Sequence, residues 1–205
     1  MEKKRIVKEY VQPILMAILI ALLVRTFFVQ AFRIPSGSME PTLLIGDYLL
    51  VNKFIYGIRI PFADRELFPY QKPQRGDVIV FVFPLDSSKD FIKRVIGIGG
   101  EKVQIIENKI YIDDQRIDDP WGYFNKTGST ESFPMMKNFG PVIIPKDSLF
   151  VLGDNRNNSD DSRFWGFVPL HAVVGKAFDI YFSWNSRAEN VWDRVRWSRI
   201  GEWIH

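Results

Sequence analysis

An uninterrupted apolar segment near the N-terminus constrains this chain more than any other feature of its sequence. Residues 11–32 read VQPILMAILIALLVRTFFVQAF and contain one charged side chain, Arg25. As an α-helix this segment would be about 33 Å long, which is enough to cross the hydrocarbon core of a bilayer. The sequence therefore predicts a transmembrane helix over residues 11–32, with Arg25 extending its charge toward the far interface.

Basic residues immediately before this segment predict its orientation. They are Lys3, Lys4, Arg5 and Lys8. Because cytoplasmic flanks of membrane helices are rich in lysine and arginine, residues 1–10 are expected in the cytoplasm and residues 33–205 on the opposite side. Two other interpretations exist. A cleavable signal peptide could end near Val29-Gln30-Ala31, although the apolar stretch is long for one. A buried helix of a soluble domain would accommodate Arg25 but would not explain the flanking charges.

Beyond residue 32 the helical pattern gives way to short β-branched and aromatic runs separated by Gly, Pro, Asn and Asp. This pattern predicts a mainly β domain. The predicted strands cover residues 48–55, 77–83, 91–98, 102–106, 109–112, 149–152 and 177–184. Glu107-Asn108 predicts a hairpin turn between two of them. Residues 113–147 are rich in Asp, Gly, Pro, Asn and Lys, and we expect them to form a small inserted cap.

The C-terminal stretch, residues 185–205, places Trp192, Trp197 and Trp203 among Arg and Glu. Such a segment could be an amphipathic tail at a membrane surface, because tryptophan favours that interface. A terminal helix packed on the sheet is the alternative.

Cysteine, histidine and charge narrow the possible functions. The 205 residues contain no cysteine, which excludes disulfides, thiolate catalysis and Cys-ligated metal centres. Of the two histidines, His205 ends the sequence, so a Ser-His-Asp triad would depend on His171, for which a structural role is expected. The net charge is +3, and residues 1–10 supply +2 of it with four basic and two acidic residues. No nucleic-acid partner, metal or cofactor is therefore expected.

A serine-containing loop directly after the apolar segment is the first candidate for chemistry. Residues 33–43 read RIPSGSMEPTL. The prolines oppose a helix, Gly37 permits a tight turn, and Ser36 and Ser38 present two hydroxyls. Such a loop can hold a nucleophile rigidly, although an ordinary exposed loop would have the same composition.

Lys93 is the candidate base. With histidine excluded, a nucleophilic serine needs a base that is neutral near pH 7, and a lysine in apolar surroundings can serve. Strand alternation places Lys93 on one face with Phe91 and Val95, where burial would lower its pKa. A lysine at a sheet edge or in an ion pair is the alternative.

Residues 153–169, GDNRNNSDDSRFWGFVP, crowd charges of both signs beside aromatic residues. This pattern predicts a buried polar network that positions a site, and a charged surface hairpin is the alternative. The charged residues are Asp154, Arg156, Asp160, Asp161 and Arg163.

Taken in order, the apolar segment, PSGSMEPTL, GDYLLVNKF at 46–54, FIKRVIGIGGE at 91–101 and residues 153–169 resemble the bacterial type I signal peptidases. These are membrane serine proteases with a Ser-Lys dyad, and the matching blocks cover nearly the whole chain. The resemblance implies an antiparallel, coiled-β-sheet catalytic domain on the outer side of the bacterial cytoplasmic membrane, with its inserted region at 113–147. It also implies removal of signal peptides from secretory preproteins, beside the lipid bilayer and the export translocation machinery.

The resemblance also implies roles for individual residues. Ser38 would be the nucleophile and Lys93 the general base, and the Ser36 hydroxyl and the Ser38 N–H would form the oxyanion hole. Ser159 would orient the lysine, and Asp161 and Arg163 would form a structural charge pair. Shallow pockets would accept small side chains at the first and third positions before the cut. The residues implied as pocket walls are Ile34, Met39, Leu43, Phe91 and Ile92.

Two other functional classes remain from the sequence. A self-cleaving Ser-Lys regulator related to the LexA repressor would share the dyad, but no helix-turn-helix or internal cleavage site is visible. A non-enzymatic, membrane-anchored β module would make the serine and lysine blocks coincidental.

Overall fold

The computed structural model describes residues 7–59, 66–67, 71–124 and 137–205. Its N-terminal part corrects the prediction of a helix over residues 11–32. A π-helical turn, Val7–Val11, precedes α1, Gln12–Phe27, and the chain then becomes strand β1, Val29–Arg33. The 16 residues of α1 span about 24 Å. Within the described ranges, no helix combines the length and apolar character needed to cross a membrane.

The predicted helix is too long because its last residues pair in a sheet. Strand β1 runs antiparallel to β2, Asp47–Asn52, in a register from Val29 opposite Asn52 to Arg33 opposite Tyr48. Val29 and Phe32 are a β-branched and an aromatic residue, which suit a strand as well as an apolar helix. Apolar composition therefore did not distinguish the end of the helix from the start of the sheet.

The prediction of a mainly β, antiparallel domain is confirmed. A large sheet has the strand order β1-β2-β13-β5-β6-β11-β12, with β14 paired to β13. Its strands after β2 are β5 Val78–Val82, β6 Asp90–Ile98, β11 Ser148–Leu152, β12 Val168–Pro169, β13 Val173–Ser183 and β14 Glu202–Trp203. A separate pair joins β3, Ile58–Arg59, to β4, Glu66–Leu67. A one-turn helix, α2, covers Ser162–Trp165.

A smaller sheet has the order β10-β7-β8-β9. Its strands are β7 Lys102–Ile106, β8 Lys109–Ile112, β9 Gln115–Arg116 and β10 Phe139–Ile143. Glu107 and Asn108 have φ values of 46° and 66°, as expected for the predicted hairpin turn. The small sheet begins at Lys102 instead of residue 113, because β10 returns to pair with β7. Residues 125–136 of the predicted cap lie outside the described part of the chain.

Strand β6 is buried on both faces. Its neighbouring residues Val95 and Ile96 belong to different clusters of buried hydrophobic side chains. As a result, the consecutive residues Lys93 and Arg94 are both buried although they point to opposite faces. This strand carries charged groups into the interior of the domain.

The C-terminal stretch packs on the large sheet without forming the α-helix that one interpretation proposed. It contains 3₁₀ turns at Trp192–Arg194 and Trp197–Arg199 and then β14. The Arg199 guanidinium binds the buried carboxylate of Asp47 at 2.7 Å. The three tryptophans of this stretch have exposed side chains.

Candidate active site

The serine loop is held at both ends by the backbone and the core. At its base, Ile34 N donates a 2.8 Å hydrogen bond to Asp47 O. Met39 and Leu43 are fully buried, and Leu43 N donates to Met39 O at 2.9 Å. Ser38 lies between these anchors and is only 8% exposed. The loop therefore presents Ser38 from a fixed backbone.

Lys93 contacts this serine directly. Its Nζ donates a 2.7 Å hydrogen bond to Ser38 Oγ and a 3.0 Å hydrogen bond to Ile92 O. The Nζ atom also lies 5.5 Å from the centre of the Phe91 ring. Lys93 is 4% exposed. The hydroxyl and the amine are thus within proton-transfer distance in a site with little access to water.

Burial lowers the pKa of Lys93 to about 8, because removing the side chain from water disfavours the ammonium form. The carboxylates of Asp161, Asp160 and Asp154 act in the opposite direction and raise this pKa. At a pKa of about 8, roughly a tenth of the lysine is neutral at pH 7 and half at pH 8. Lys93 can therefore accept a proton under mildly alkaline conditions.

A cavity of about 390 Å³ lies beside the pair. Its lining comes from residues 35–38 of the serine loop, residues 90–93 of β6, and Asn158 and Asp160. Of the residues predicted as pocket walls, Phe91 and Ile92 belong to this lining. Ile34, Met39 and Leu43 are instead buried in a core cluster against which Ile92 packs. They support the loop and the strand from the interior.

Ion pairs within the domain surround the site. Arg94 and Asp154 are both 0% exposed and form two hydrogen bonds, Nε to Oδ1 at 2.8 Å and Nη2 to Oδ2 at 2.7 Å. Asp161 and Arg163 form a second buried pair, with Nε to Oδ1 at 2.8 Å. Asp161 Oδ2 also accepts a 3.1 Å hydrogen bond from Gly153 N. These pairs fix the backbone next to Lys93 and Ser38.

Arg156 connects this network to Asp119, which lies between strands β9 and β10 of the small sheet. Its guanidinium forms an ion pair with Asp119 and donates from Nε to Gly153 O at 3.1 Å. The Arg156 carbonyl accepts a 2.8 Å hydrogen bond from Arg163 Nη2. Of the five charged residues in this segment, Asp154, Arg156, Asp161 and Arg163 are buried, and Asp160 is exposed.

Ser159 and Ser36 lie near the dyad in different environments. Ser159 is buried, and its hydroxyl has no hydrogen-bond partner in the residues that the structure describes. A Cβ at Gly153 would overlap both that hydroxyl and the Ser38 carbonyl oxygen, so glycine permits this close approach. Ser36 is exposed and lines the cavity. The lysine-orienting role of Ser159 and the oxyanion role of Ser36 stay predictions.

Sequence reasoning missed four residues that support the site. Arg94 is the buried partner of Asp154, and Asp119 is the partner of Arg156. Thr42 Oγ1 donates a 2.6 Å hydrogen bond to Asp154 Oδ2, and Asn155 donates to the serine loop. The sequence held a signal for Arg94 only: two adjacent charges in an apolar strand must point to opposite faces. The other contacts depend on tertiary structure.

A metal centre does not emerge from the residues that the structure describes. In these ranges no group of three or more His, Cys, Asp or Glu side chains could hold a metal ion. The expectation that no metal or cofactor takes part therefore rests on the sequence.

Comparisons with known proteins identify relatives of this chain. The chain matches the family described as "Signal peptidase, peptidase S26" over residues 7–183. Signal peptidase I of Pseudomonas aeruginosa is 37% identical, over 90% of this chain and 75% of that protein. Signal peptidase I of Haemophilus influenzae is 32% identical, over 90% of this chain and 72% of its own.

A crystal structure of a signal peptidase I from Enterococcus faecalis is 31% identical, with a TM-score of 0.43, and covers 52% of this chain and 97% of that chain. The resemblance to bacterial type I signal peptidases is confirmed by the family match and by the curated relatives, which extend over most of the chain. This chain belongs to the signal peptidase family, peptidase S26.

Proposed function

We propose that this protein removes N-terminal signal peptides from secretory preproteins, with Ser38 as nucleophile and Lys93 as general base. The observation that carries the proposal is the 2.7 Å hydrogen bond between Lys93 Nζ and Ser38 Oγ in a buried site. A serine paired with a lysine of lowered pKa can attack a peptide bond without histidine. The family membership supports the reaction class, and the hydrogen-bonded pair supports the proposed chemistry.

In the proposed reaction, neutral Lys93 takes the proton of the Ser38 hydroxyl as Oγ bonds to the carbonyl carbon of the scissile peptide. The tetrahedral intermediate then collapses, the C–N bond breaks, and the Lys93 ammonium returns its proton to the leaving amine. Water, deprotonated by Lys93, next attacks the acyl carbon, and the bond from this carbon to Ser38 Oγ breaks. Lys93 returns the proton to Oγ, and the signal peptide leaves with a new carboxylate. All proton transfers then use one amine.

The oxyanion of the intermediate would bind to the Ser38 N–H and the Ser36 hydroxyl. Both residues line the same cavity. Ser159, buried behind the loop against Gly153, would help to orient the lysine during proton transfer. The buried charged pairs would keep this arrangement fixed.

An exposed strand edge offers a binding mode for the substrate. Strand β11 pairs with β6 only from Arg94 to Ile98, whereas β5 pairs with β6 from Asp90 to Arg94. Residues 90–93 therefore have no strand partner on the β11 side in the described part of the chain. An extended preprotein segment could add there as a strand between β6 and the serine loop. Its backbone would then bind independently of its sequence, and small side chains at the first and third positions before the cut would enter shallow pockets.

The apolar N-terminal segment supports attachment to the cytoplasmic membrane. Helix α1 exposes large apolar side chains on several sides, which is unfavourable in water. The proposed orientation places residues 1–10 in the cytoplasm and the domain from residue 33 on the outer face, where it meets preproteins beside the translocation machinery. The exposed apolar side chains of α1 are those of Ile14, Leu15, Met16, Ile18, Leu19, Ile20 and Leu22.

Cleavage of a purified preprotein by the detergent-solubilised full-length protein tests the proposal. Wild type should cleave, and Ser38→Ala, Lys93→Ala and Lys93→Arg should each lose activity while keeping the fold, since an arginine side chain stays protonated. The matched control is His171→Ala, because His171 is exposed in a 3₁₀ turn and is not part of the cavity lining. Loss of activity in the histidine variant alone would refute the dyad.

A further inference from the structure

Asn155 holds the backbone on both sides of the candidate nucleophile. Its side-chain Nδ2 donates a 3.1 Å hydrogen bond to Gly37 O, and its backbone N donates a 3.1 Å hydrogen bond to Ser38 O. Asn155 is 1% exposed, and its side-chain bond to Gly37 O is partly buried. The two peptide groups that flank the Ser38 Cα are thus bound by a single residue.

The first of these bonds determines where the Ser38 N–H points. Gly37 C=O and Ser38 N–H belong to one peptide group, which is planar and trans, so the two groups point in opposite directions. Fixing the Gly37 oxygen toward Asn155 turns the Ser38 N–H away from Asn155. In the described part of the chain this N–H has no hydrogen-bond acceptor, so it stays available to a ligand.

Asn155 is itself held from the opposite side. Tyr123 N donates to Asp154 O at 2.7 Å, and Arg156 N donates to Tyr123 O at 2.8 Å, which makes a parallel bridge between Tyr123 and Asn155. The backbones of the serine loop, of Asn155 and of Tyr123 therefore lie side by side and are joined by hydrogen bonds. A residue supported in this way can impose a direction on the loop.

The side chain of Asn155 uses only its nitrogen. Its Oδ1 atom is buried and has no hydrogen-bond partner in the ranges that the structure covers. Gly37 O does accept a second hydrogen bond, from Glu40 N at 3.2 Å, which closes the turn but lies within the same loop. Nδ2 of Asn155 is the donor that ties this peptide group to the rest of the domain.

We propose that Asn155 is a positioning residue for the oxyanion hole: its amide fixes the Gly37–Ser38 peptide so that the Ser38 N–H faces the developing oxyanion. This inference rests on the proposed function, because it assigns the Ser38 N–H to the tetrahedral intermediate. Asn155 does not touch the substrate. It acts through the peptide group that it binds.

The test replaces the donor while keeping the shape. Asn155→Asp turns an N–H that faces a carbonyl oxygen into a carboxylate oxygen, and Asn155→Ala removes the group altogether. We expect kcat for preprotein cleavage to fall by about tenfold to a hundredfold in both, below the loss for a missing oxyanion donor because the Glu40 bond remains. KM should stay within about twofold, since a donor that acts in the transition state contributes little to substrate binding.

Asn52→Asp is the matched control. Asn52 Oδ1 accepts hydrogen bonds from Phe54 N and Ile55 N at 3.0 and 3.1 Å. At Asn52 the change from amide to carboxylate keeps both hydrogen bonds, because the accepting oxygen remains. At Asn155 the same change removes the hydrogen bond to Gly37 O, because the donor is lost. Asn52→Asp should retain wild-type kcat and KM.

A pair of probes separates positioning from general damage to the fold. A peptide aldehyde with alanine at its first and third positions bonds to Ser38 Oγ, and its carbonyl oxygen becomes the hemiacetal oxygen in the oxyanion hole. The corresponding peptide alcohol fills the same pockets but forms no such bond. The inhibition constant of the aldehyde should rise about tenfold or more in Asn155→Asp and Asn155→Ala, and that of the alcohol should change by less than about twofold.

The outcomes distinguish this inference from the proposed function. One outcome is that wild type cleaves preproteins and Ser38→Ala does not. Unchanged kcat and unchanged aldehyde inhibition in both folded Asn155 variants would then overturn the inference and leave the proposed function standing. Equal weakening of the aldehyde and the alcohol would also overturn it, because the site would then be distorted as a whole. A wild-type protein that does not cleave preproteins would overturn both.

Discussion

Ser38 and Lys93 are 55 positions apart in the sequence, and their side chains meet at 2.7 Å. The sheet register explains the meeting. Strand β6 carries Lys93 and pairs with β11, and β11 leads directly into the segment of Asn155, whose backbone binds Ser38 O. The backbones that carry Ser38 and Lys93 are thus attached to the same neighbouring segment.

The first prediction concerns the pH dependence of cleavage. Because neutral Lys93 is the working form in the proposed mechanism and its pKa is lowered to about 8, kcat/KM should increase with pH, reach half of its maximum near pH 8 and level off about one unit above it. Replacing Asp160 with Asn should move this rise to lower pH, because the Asp160 carboxylate raises the pKa of the lysine. Rates measured between pH 6 and about 10 test this, and an optimum below neutrality would contradict it.

The second prediction concerns stability. An unfolded lysine has the ordinary pKa of 10.5, and folded Lys93 has a pKa of about 8, so between these values the unfolded chain binds more protons. The free energy of unfolding should therefore rise with pH over this window, and the cost of burying the lysine is fully present below it. Lys93→Met should be more stable than wild type at pH 7, by roughly 3 kcal/mol.

This stability difference should shrink as the pH approaches 10.5. Denaturant unfolding of the detergent-solubilised proteins at several pH values would measure it. The inactive variant Ser38→Ala, which keeps the lysine, is the control and should follow the wild-type pH dependence. A difference that is the same at pH 7 and at about pH 10 would show that Lys93 is not buried as an amine of lowered pKa.

The third prediction concerns the fully buried pair of Arg94 and Asp154. Arg94→Met should lower the free energy of unfolding by about 3 to 5 kcal/mol, because it leaves the Asp154 carboxylate buried without its cation. The double variant Arg94→Met/Asp154→Leu should recover part of this loss, because no unpaired charge remains. A double-mutant cycle measures the coupling, and additive effects would mean that the two residues contribute independently.

The sequence could name Ser38 and Lys93 as candidates because the signals for them are local. Ser36 and Ser38 lie in a loop marked by prolines, and Lys93 stands in an apolar strand, so each residue could be chosen from its immediate neighbours. The strands and the turn at Glu107-Asn108 were also predictable, because alternation and turn residues are local signals.

The sequence could not predict the long-range contacts between side chains or the residue at which the helix ends. Arg156 binds Asp119, and Asn155 binds Gly37, across separations that no periodicity encodes. The predicted end of the helix at residue 32 was wrong for a different reason. Residues 29–32 suit both a helix and a strand, and only their pairing with β2 decides between the two. Ile34, Met39 and Leu43 lie in the core because loop residues between two strands of a buried sheet can face inward.

The last prediction concerns specificity at the cavity. Phe91 and Ile92 line it, and the Phe91 ring stacks on Phe83 at 4.3 Å, so this wall is rigid. A preprotein with alanine at the first and third positions before the cut should be cleaved, and one with phenylalanine there should not, because a bulky side chain would move the scissile carbonyl away from Ser38. A misplacement of about 1 Å can cost about a hundredfold in rate.

The matched experiment enlarges the cavity. Ile92→Ala should raise kcat/KM for a substrate with valine or leucine at one of these positions, relative to the alanine substrate, because it removes three carbons from the lining. Leu85→Ala, at a largely exposed residue outside the lining, is the control and should leave the ratio unchanged. Competition between the two substrates in one reaction gives the ratio of kcat/KM values directly. Equal cleavage of the alanine and phenylalanine preproteins by wild type would refute a selective pocket, and an unchanged ratio in Ile92→Ala would remove Ile92 from its walls.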